Sequence, residues 1–225
     1  MESRAIFTSR SGGRSQAPYN QRNLALHVGD DEQVVLQNRL ELAVELAVAP
    51  TRLFFMEQNH GTDIHVIDGK SNPADSYRCD ALITTTPGTA LAVLVADCAP
   101  LLLMGERTSA AVHVGWRGLF GGIVEKVLEK MAGEQFSAII GPTICGNCYQ
   151  VGDDLRKAAA QRGFITGSDT LDIPRSILKI LSERCETSLT SARWNDRCTF
   201  ESGAHFSFRR DGVTGRQAGV VIHGT

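Results

Sequence analysis

The sequence predicts an α/β protein with a mixed β-sheet, and three observations support that fold class. Short apolar segments of four to seven residues, bounded by turn residues, recur through the middle of the chain as buried strands do. Longer segments repeat apolar residues at three- and four-residue spacing, as one face of a helix does. No linker, internal repeat or low-complexity tract separates the two kinds of segment. We therefore expect a single α/β domain over residues 1–225 with a mixed central sheet.

The first half of the chain supplies most of the predicted strands. An opening strand at residues 5–8 precedes a loop at residues 11–23 that is rich in Gly, Ser, Asn and Arg. Asp30 and Asp31 then precede a helix predicted at residues 32–48, and Pro50 ends it. Further strands are predicted at residues 53–56, 63–67, 81–84, 90–96, 101–104 and 109–114.

The second half alternates helices and strands. A glycine-rich turn leads into a helix predicted at residues 119–131, and a strand at residues 137–140 is stopped by Gly141 and Pro142. Two final strands are expected around the Asp211-Gly212 turn. These strands span residues 205–209 and 217–222, and the remaining helices span residues 153–162 and 175–185.

Composition excludes several classes of protein. The chain of 225 residues is 42% hydrophobic and 21% charged, which suits a globular protein that folds without disulfides. A net charge of −2 gives no electrostatic reason to bind nucleic acid or an anionic membrane. The chain lacks the run of about 18 apolar residues that a membrane span needs, and the apolar patch at residues 5–7 is too short for a signal peptide. We expect a cytoplasmic protein whose six cysteines are thiols.

Three segments combine metal-binding side chains with turn residues. They are residues 58–61 (QNHG), 96–100 (ADCAP) and 113–118 (HVGWRG), and they contribute His60, Cys98 and His113. Considered alone, the motif around His60 predicts a solvated turn residue, and the motif around Cys98 predicts a buried free thiol. Taken together, they form a His/Cys/His set of the kind that binds zinc and leaves one coordination position open, as catalytic zinc sites do.

The segment around His113 also predicts an anion site. A strand is followed by a turn with four glycines between residues 115 and 122 and then by a helix, so free backbone N–H groups point at the turn. The guanidinium group of Arg117 would add a bidentate hydrogen-bond donor for phosphate or carboxylate. The alternative is a tight turn packed by Trp116, with Arg117 in a surface ion pair.

Cys145 and Cys148 form a C-x-x-C motif. A zinc finger needs a second pair, and Cys185 with Cys198 lacks the spacing. The zinc-dependent nucleobase deaminase superfamily combines Pro-Cys-x-x-Cys with an upstream His-x-Glu, which no histidine of this chain supplies, so membership of that superfamily is excluded. The simplest interpretation is a pair of thiols lining a loop near the site. Six histidines without a His-x-His also disfavour a conventional multicopper centre.

These ordered motifs resemble the bacterial laccase-domain proteins, also called the polyphenol oxidase or peptidoglycan-editing-factor family. The sequence differs from the family's motifs at Asn59, Val114, Gln150 and residues 145–147, and none of these differences removes a proposed metal ligand. The resemblance covers nearly the whole chain, with blocks at residues 23–31, 38–39, 58–61, 80–84, 96–100, 113–118, 141–144, 148–152, 198–199, 206–212 and 214–217.

The resemblance implies a four-layer α/β fold shared with certain Cys-His toxins. It also implies a zinc ion, or copper as the other metal of the family, bound by His60, Cys98 and His113. The implied activities are phosphorolysis of purine nucleosides and deamination of adenosine, so the implied partners are a purine nucleoside and phosphate. A laccase-like polyphenol oxidation and a part in peptidoglycan-precursor editing are the other activities associated with the family.

Roles for individual residues follow from the motifs and the resemblance together. We expect Arg117 to hold the anion, and Asp97 or Asp80 to orient a metal ligand. Gln58, Asn38 and Cys148 are weaker candidates for substrate contact.

Three alternatives stay open from the sequence. Cys98 could act as a nucleophile with His113 as its base, in a hydrolase without metal. A copper-dependent polyphenol oxidase is the second alternative. The third is a non-enzymatic partner of a cell-wall ligase.

Overall fold

The computed structural model describes residues 2–185 and 187–224. The strands of these residues are Arg4–Phe7 (β1), Leu53–Phe55 (β2), Ile64–Ile67 (β3), Ala81–Thr84 (β4), Ala90–Val95 (β5), Ala99–Gly105 (β6), Ser109–Val114 (β7), Phe136–Ile140 (β8), Leu189–Trp194 (β9) and Gln217–Ile222 (β10). The α-helices are Glu32–Glu45 (α1), Trp116–Gly121 (α2), Ile123–Lys130 (α3), Asp153–Gln161 (α4), Ile173–Arg184 (α5) and Phe208–Asp211 (α6). None of the described helices is both long and apolar enough to cross a membrane.

The strands form two mixed sheets instead of the one central sheet expected from the sequence. The first sheet has the order β1-β10-β5-β2, in which β2 and β5 are parallel and the other pairs antiparallel. The second sheet has the order β3-β4-β7-β6-β8-β9, with parallel pairs at its two edges and antiparallel pairs between them. Each sheet therefore combines both kinds of pairing, as the predicted fold class requires.

Alternating side chains of the central strands build four layers. Leu91 and Val93 of β5 pack with Leu102 of β6 and Ala111 of β7 in the cluster between the two sheets. Their neighbours on β5, such as Leu94, point the other way into a cluster shared with α1. The neighbours on β6 and β7 pack in a cluster that also includes side chains of α3 and α5. The resulting order is α1, first sheet, second sheet, and the helices α3 and α5.

Burial on both faces explains why the sequence predicts the central strands well. Every residue of β5 and β7 is buried, and β6 is buried apart from Met104. Strands covered on both faces need no polar alternation, so they read as continuous apolar segments. The predicted strands at residues 90–96, 101–104 and 109–114 match these three elements.

Two elements near the site differ from the sequence-based expectation. The helix predicted at residues 119–131 begins earlier, at Trp116, and is divided by Gly122, whose φ of 78° interrupts the helical backbone. The strand predicted at residues 205–209 is wrong. Ser207 instead caps the short helix α6, because its side chain accepts a hydrogen bond from the backbone N–H of Arg210.

Strand β9 was not predicted from the sequence. Its four central residues are exposed, so it lacks the apolar pattern that identifies a strand. Its position is set by parallel pairing with β8, which is a long-range interaction.

Candidate metal centre

His60, Cys98 and His113 come from three different parts of the two sheets. His60 lies in the loop after β2, and Cys98 lies in the turn between β5 and β6. His113 is the penultimate residue of β7 and pairs with Pro100 of β6, which brings it beside that turn. The sheet pairing therefore brings together three residues that the sequence keeps apart.

The three donor groups are close enough to bind one ion. One donor atom from each residue lies within 4.8 Å of the others. The Cys98 Sγ is 4.0 Å from the His60 Nε2, and the two imidazole rings meet edge to face with centroids 4.8 Å apart. A zinc ion with ordinary bond lengths holds nitrogen and sulfur donors about 3.5 Å apart. Small rotations of the side chains would suffice to reach that spacing.

Asp80 connects the imidazole of His113 to the backbone of the loop that carries His60. Its buried carboxylate accepts a hydrogen bond from the His113 Nδ1 at 2.7 Å, which leaves the Nε2 available to an ion. It also accepts the backbone N–H groups of His60 at 3.0 Å and Gly61 at 2.7 Å. Burial opposes ionisation of this carboxyl, but the bond from His113 and the loop N–H groups hold the pKa of Asp80 below its usual range. A carboxylate behind a histidine in this way fixes the ring orientation of a metal ligand.

Asp97 contacts neither imidazole and is bonded to other segments of the chain. Its carboxylate accepts hydrogen bonds from the Thr199 Oγ1 and from the backbone N–H of Arg209, both at 2.6 Å. Its own backbone carbonyl accepts the hydroxyl of Thr143 at 2.7 Å. Asp97 thus fastens the turn that carries Cys98 to distant segments, whereas Asp80 contacts the imidazole of His113.

Gly115 permits the close approach of the three donor residues. A Cβ atom at this position would lie 3.2 Å from the His60 ring and 3.3 Å from the Cys98 sulfur. Contacts this short would force the donors apart. The glycine after β7 is therefore explained by the packing of the cluster, and it also forms the N-cap of α2.

The cluster favours a charged pair between sulfur and imidazole. Burial alone would raise the pKa of the Cys98 thiol, but the charge of His113 and hydrogen bonds from both histidines lower it to about 6. Burial likewise opposes the charge of His113, but Cys98 and Asp80 raise the pKa of this imidazole to about 9. The thiolate is the form of cysteine that binds metals and attacks electrophiles.

This shift predicts an unusual pH dependence for the alkylation of Cys98. In protein treated with a chelator, we expect the rate of carboxamidomethylation of Cys98 by iodoacetamide to rise with pH and to be half-maximal near pH 6. Only the thiolate reacts, so the rate follows ionisation. Peptide mass spectrometry measures the rate, and Cys79 serves as an internal control because burial raises its pKa to about 12. A midpoint near the ordinary thiol value of about 8.5 would contradict the expectation.

A cavity of about 410 Å³ opens onto the three donors. This volume lies within the roughly 300–1,000 Å³ of small-molecule sites. Its walls are mainly apolar or aromatic, including Trp116, Tyr149 and Phe208. His60 is exposed and Cys98 partly buried, so the cluster faces the cavity. The structure therefore places the candidate metal ligands at the wall of a ligand-sized cavity.

Three arginines line the same cavity, of which the sequence identified only Arg117. The guanidinium of Arg117 lies over the Trp116 ring, and that of Arg209 over the ring of Tyr149. Burial lowers the pKa of Arg216, the third of them, although Cys98 and Asp97 partly oppose the change. Among the described residues, no carboxylate side chain forms an ion pair with the guanidinium group of any of the three. The cavity therefore has more positively charged side chains in its lining than Arg117 alone.

The remaining predicted substrate contacts lie in different places. Gln58 lines the cavity, but both ends of its amide bond to the backbone of Leu94. Asn38 is fully buried on α1, where it bonds to Ser15 and to backbone groups of the N-terminal loop. Cys148 is hydrogen-bonded to Glu201. The structure does not bring Asn38 or Cys148 to the cavity wall.

Sequence comparison assigns relatives along nearly the whole chain. The family model described as multi-copper polyphenol oxidoreductase laccase matches residues 4–224. A protein of Corynebacterium glutamicum named purine nucleoside phosphorylase Cgl2154/cg2365 is 40% identical, over 97% of this chain and 93% of its own. The purine nucleoside phosphorylase YfiH of Escherichia coli is 34% identical, over 96% of this chain and 92% of its own length. The resemblance inferred from the motifs is thereby confirmed.

Solved structures show the same fold. The Neisseria meningitidis protein NMB0706 matches with a TM-score of 0.86 and 30% identity, covering 100% of this chain and 95% of its own. YlmD from Geobacillus stearothermophilus matches with a TM-score of 0.88 and 30% identity, covering 100% and 93%. The predicted mixed α/β fold class is confirmed.

Proposed function

The chain belongs to the multi-copper polyphenol oxidoreductase laccase family, and from that membership we propose that it is a zinc-dependent purine nucleoside phosphorylase that also deaminates adenosine. The names of the relatives from Corynebacterium glutamicum and Escherichia coli support phosphorolysis as the first activity. The observation that carries the proposal is the combination of a His/Cys/His cluster and three arginines without acidic partners around one cavity. Such a cavity suits an aromatic substrate bound together with an anionic one.

The donor set fits a zinc ion. His60, Cys98 and His113 would hold it, and the exposed side of the cluster leaves a fourth position toward the cavity. One thiolate and two imidazoles suit zinc and also copper. When bound, such an ion acts as a Lewis acid that polarises an oxygen or nitrogen group of the substrate. Asp80 contributes by holding the His113 ring in the orientation that presents its Nε2.

In phosphorolysis, the cavity must place phosphate beside the sugar of the nucleoside. An oxygen of phosphate forms a bond to the anomeric carbon of ribose, and the bond from that carbon to the purine nitrogen breaks, which releases the free base. Guanidinium groups bind phosphate with paired hydrogen bonds, so we assign the phosphate to Arg117, Arg209 and Arg216. The rings of Trp116 and Tyr149 offer flat apolar surfaces for the purine.

Deamination requires water in place of phosphate. Water replaces the amino group at C6 of adenine, so adenosine gives inosine and ammonia. Because this reaction uses no phosphate, it depends on the donor cluster but not on the anion-binding role of the arginines. The two activities can therefore be separated experimentally.

The test is a product analysis of purified protein loaded with zinc. Incubation with adenosine and phosphate is expected to give adenine and ribose 1-phosphate by phosphorolysis, and inosine by deamination. Omitting phosphate removes adenine formation and leaves inosine. Chromatography separates the products, and a His60→Ala variant with a matched His65→Ala control identifies the site, because His65 is exposed on β3 away from the cavity. Absence of both products from zinc-loaded protein would reject the proposal.

Arg216 provides a test of the phosphate site. We expect Arg216→Gln to lower kcat/KM for phosphorolysis about 10- to 100-fold, because it removes a charge-assisted hydrogen bond worth roughly 1.5–3 kcal/mol. Steady-state rates at varied phosphate concentration measure the change. Deamination of adenosine should change little, and Arg156→Gln on α4 serves as a control outside the cavity. An equal loss of both activities would contradict a phosphate role.

A Cys-His hydrolase is the second candidate. The observation that favours it is the charged pair of Cys98 with His113, since a thiolate beside an imidazolium is an activated nucleophile. Activity of this kind would survive chelators and be lost on alkylation of Cys98. Activity that is lost on chelation and restored by zinc chloride favours the metal-dependent function instead.

A further inference from the structure

A second cluster of metal-binding side chains lies outside the cavity. Cys145, Cys148, Cys198 and Glu201 each offer one donor atom, and these atoms lie within 4.8 Å of one another. The first two residues belong to the loop after β8, and the other two to the loop between β9 and α6. An isolated bridge between Thr143 and Cys198 brings the two loops together. The C-x-x-C motif thus has a third cysteine that its spacing in the sequence did not reveal.

The contacts within the cluster are those of a sulfur-rich turn. The backbone N–H of Cys145 donates to the Cys198 Sγ at 3.4 Å, and the Cys148 Sγ lies 3.4 Å from the Glu201 Oε1. The backbone N–H of Cys148 donates to the carbonyl of Cys145 at 3.0 Å, which closes the turn between them. The turn between Cys145 and Cys148, together with the bond from Cys145 to the Cys198 sulfur, keeps three sulfur atoms and one carboxylate oxygen within 4.8 Å of one another.

Arg210 holds the loop that carries two of the donors, Cys198 and Glu201. The guanidinium of Arg210 donates to the carbonyls of Thr199, Phe200 and Ser202, the residues that surround Glu201 in sequence. Arg210 is therefore held beside the loop that carries Cys198 and Glu201. Its charge is paired with the Asp211 carboxylate at 2.8 Å, so Arg210 contributes to the cluster by fixing the backbone of this loop.

We propose that Cys145, Cys148, Cys198 and Glu201 bind a second, structural zinc ion. A tetrahedral zinc site with Zn–S bonds of about 2.3 Å places its sulfur atoms about 3.8 Å apart, so the cluster needs only a small contraction. Thiolates select zinc over magnesium and calcium. Four protein donors complete the tetrahedron and leave no position for substrate, unlike the cluster of His60, Cys98 and His113. Binding displaces the protons of the three thiols to solvent.

The second ion stabilises the segments that form one wall of the cavity. Tyr149, which follows Cys148 directly, lines that wall, and so does Ile144, which precedes Cys145. The backbone N–H of Ile144 also donates to the carbonyl of Asp97 at 3.0 Å, in the turn that carries Cys98. Loss of the second ion is therefore expected to loosen the wall and lower thermal stability while the first donor cluster stays complete.

Zinc content per chain tests the proposal. Protein purified with a thiol reductant, loaded with zinc chloride and freed of excess is expected to hold about two zinc ions. His113→Ala and Cys198→Ser should each hold about one, and the double variant almost none. Cys185→Ala is the matched control, because Cys185 is buried outside both clusters, and it should keep both ions. Elemental mass spectrometry measures the zinc content per chain of each protein.

A spectroscopic readout covers the case in which Cys198→Ser does not fold. In His113→Ala protein loaded with cobalt(II), the ultraviolet thiolate-to-metal absorption should remain strong, because three Co–S bonds remain. Glu201→Gln should weaken cobalt binding without removing this absorption. About one zinc per chain in the wild type that is lost in His113→Ala, or two ions in Cys198→Ser, would overturn the second site. Both results leave the nucleoside activities to be judged separately, because these depend on the first cluster.

Discussion

Replacing His113 with alanine is expected to remove one zinc ion per chain and to lower phosphorolysis and deamination at least about 100-fold. His113 is 3% exposed and its Nδ1 is bound to Asp80, so its Nε2 is the ring nitrogen left to bind an ion. Two donors, His60 and Cys98, then remain, which is too few to hold zinc firmly. Metal analysis and product chromatography measure the two effects.

The control for this variant must separate metal loss from misfolding. His113 is buried in β7, so its truncation also leaves a space in the second sheet. Circular dichroism and a melting curve identify an unfolded variant, and His113→Gln fills more of the space with a neutral polar side chain. The His65→Ala protein should match the wild type in metal content and activity. Full activity in folded His113→Ala protein would reject the metal-dependent function.

Replacing Asp80 with asparagine is expected to weaken zinc binding about 10- to 100-fold while leaving the three donors in place. The carboxylate accepts bonds from the His113 ring and from backbone N–H groups of the loop with His60. Asparagine has one acceptor oxygen, and its NH₂ group faces donors that it cannot satisfy. Competition with a chromogenic chelator measures the affinity, and Asp75→Asn in an exposed turn is the matched control.

The same variant has a predictable pH dependence in its stability. The pKa of Asp80 is lowered in the folded protein, so its contribution is fully present above the ordinary aspartate value of about 4. The contribution is lost as the pH falls through the lowered folded value. The difference in unfolding free energy between wild type and Asp80→Asn should therefore be largest near neutral pH and shrink in acid. A difference that stays constant down to pH 2 would contradict the bonding described for Asp80.

Much of the fold and of the first cluster could be predicted from residue patterns. The apolar segments of β5, β6 and β7 predicted their strands because both faces are buried. Asp31 was correctly placed before α1, where its side chain caps the helix. His60, Cys98 and His113 could be grouped because each stands beside turn residues at the end of an apolar segment or soon after it. The strands and the helix cap depend on near neighbours in the chain, whereas the grouping of the three donors also used the family resemblance, and sheet pairing brings them together.

Other features depended on contacts between distant segments. The sequence left open whether Asp80 or Asp97 orients a ligand, and only the pairing of β4 with β7 places Asp80 against His113. Arg209 and Arg216 were not identified as site residues, although both lie within blocks of the family resemblance. They reach the cavity because β10 pairs with β5 and brings the preceding loop beside Asp97.

The chain's local patterns determined its fold class, its central strands and the chemical types of its candidate ligands. Periodicity, caps and turns involve residues a few positions apart, so the sequence expresses them directly. Tertiary structure alone decided the division into two sheets, the arginines of the cavity and the meeting of Cys198 with Cys145 and Cys148. Strand order and sheet packing set those distances, and they follow from the burial of apolar surface over the whole chain rather than from any single segment.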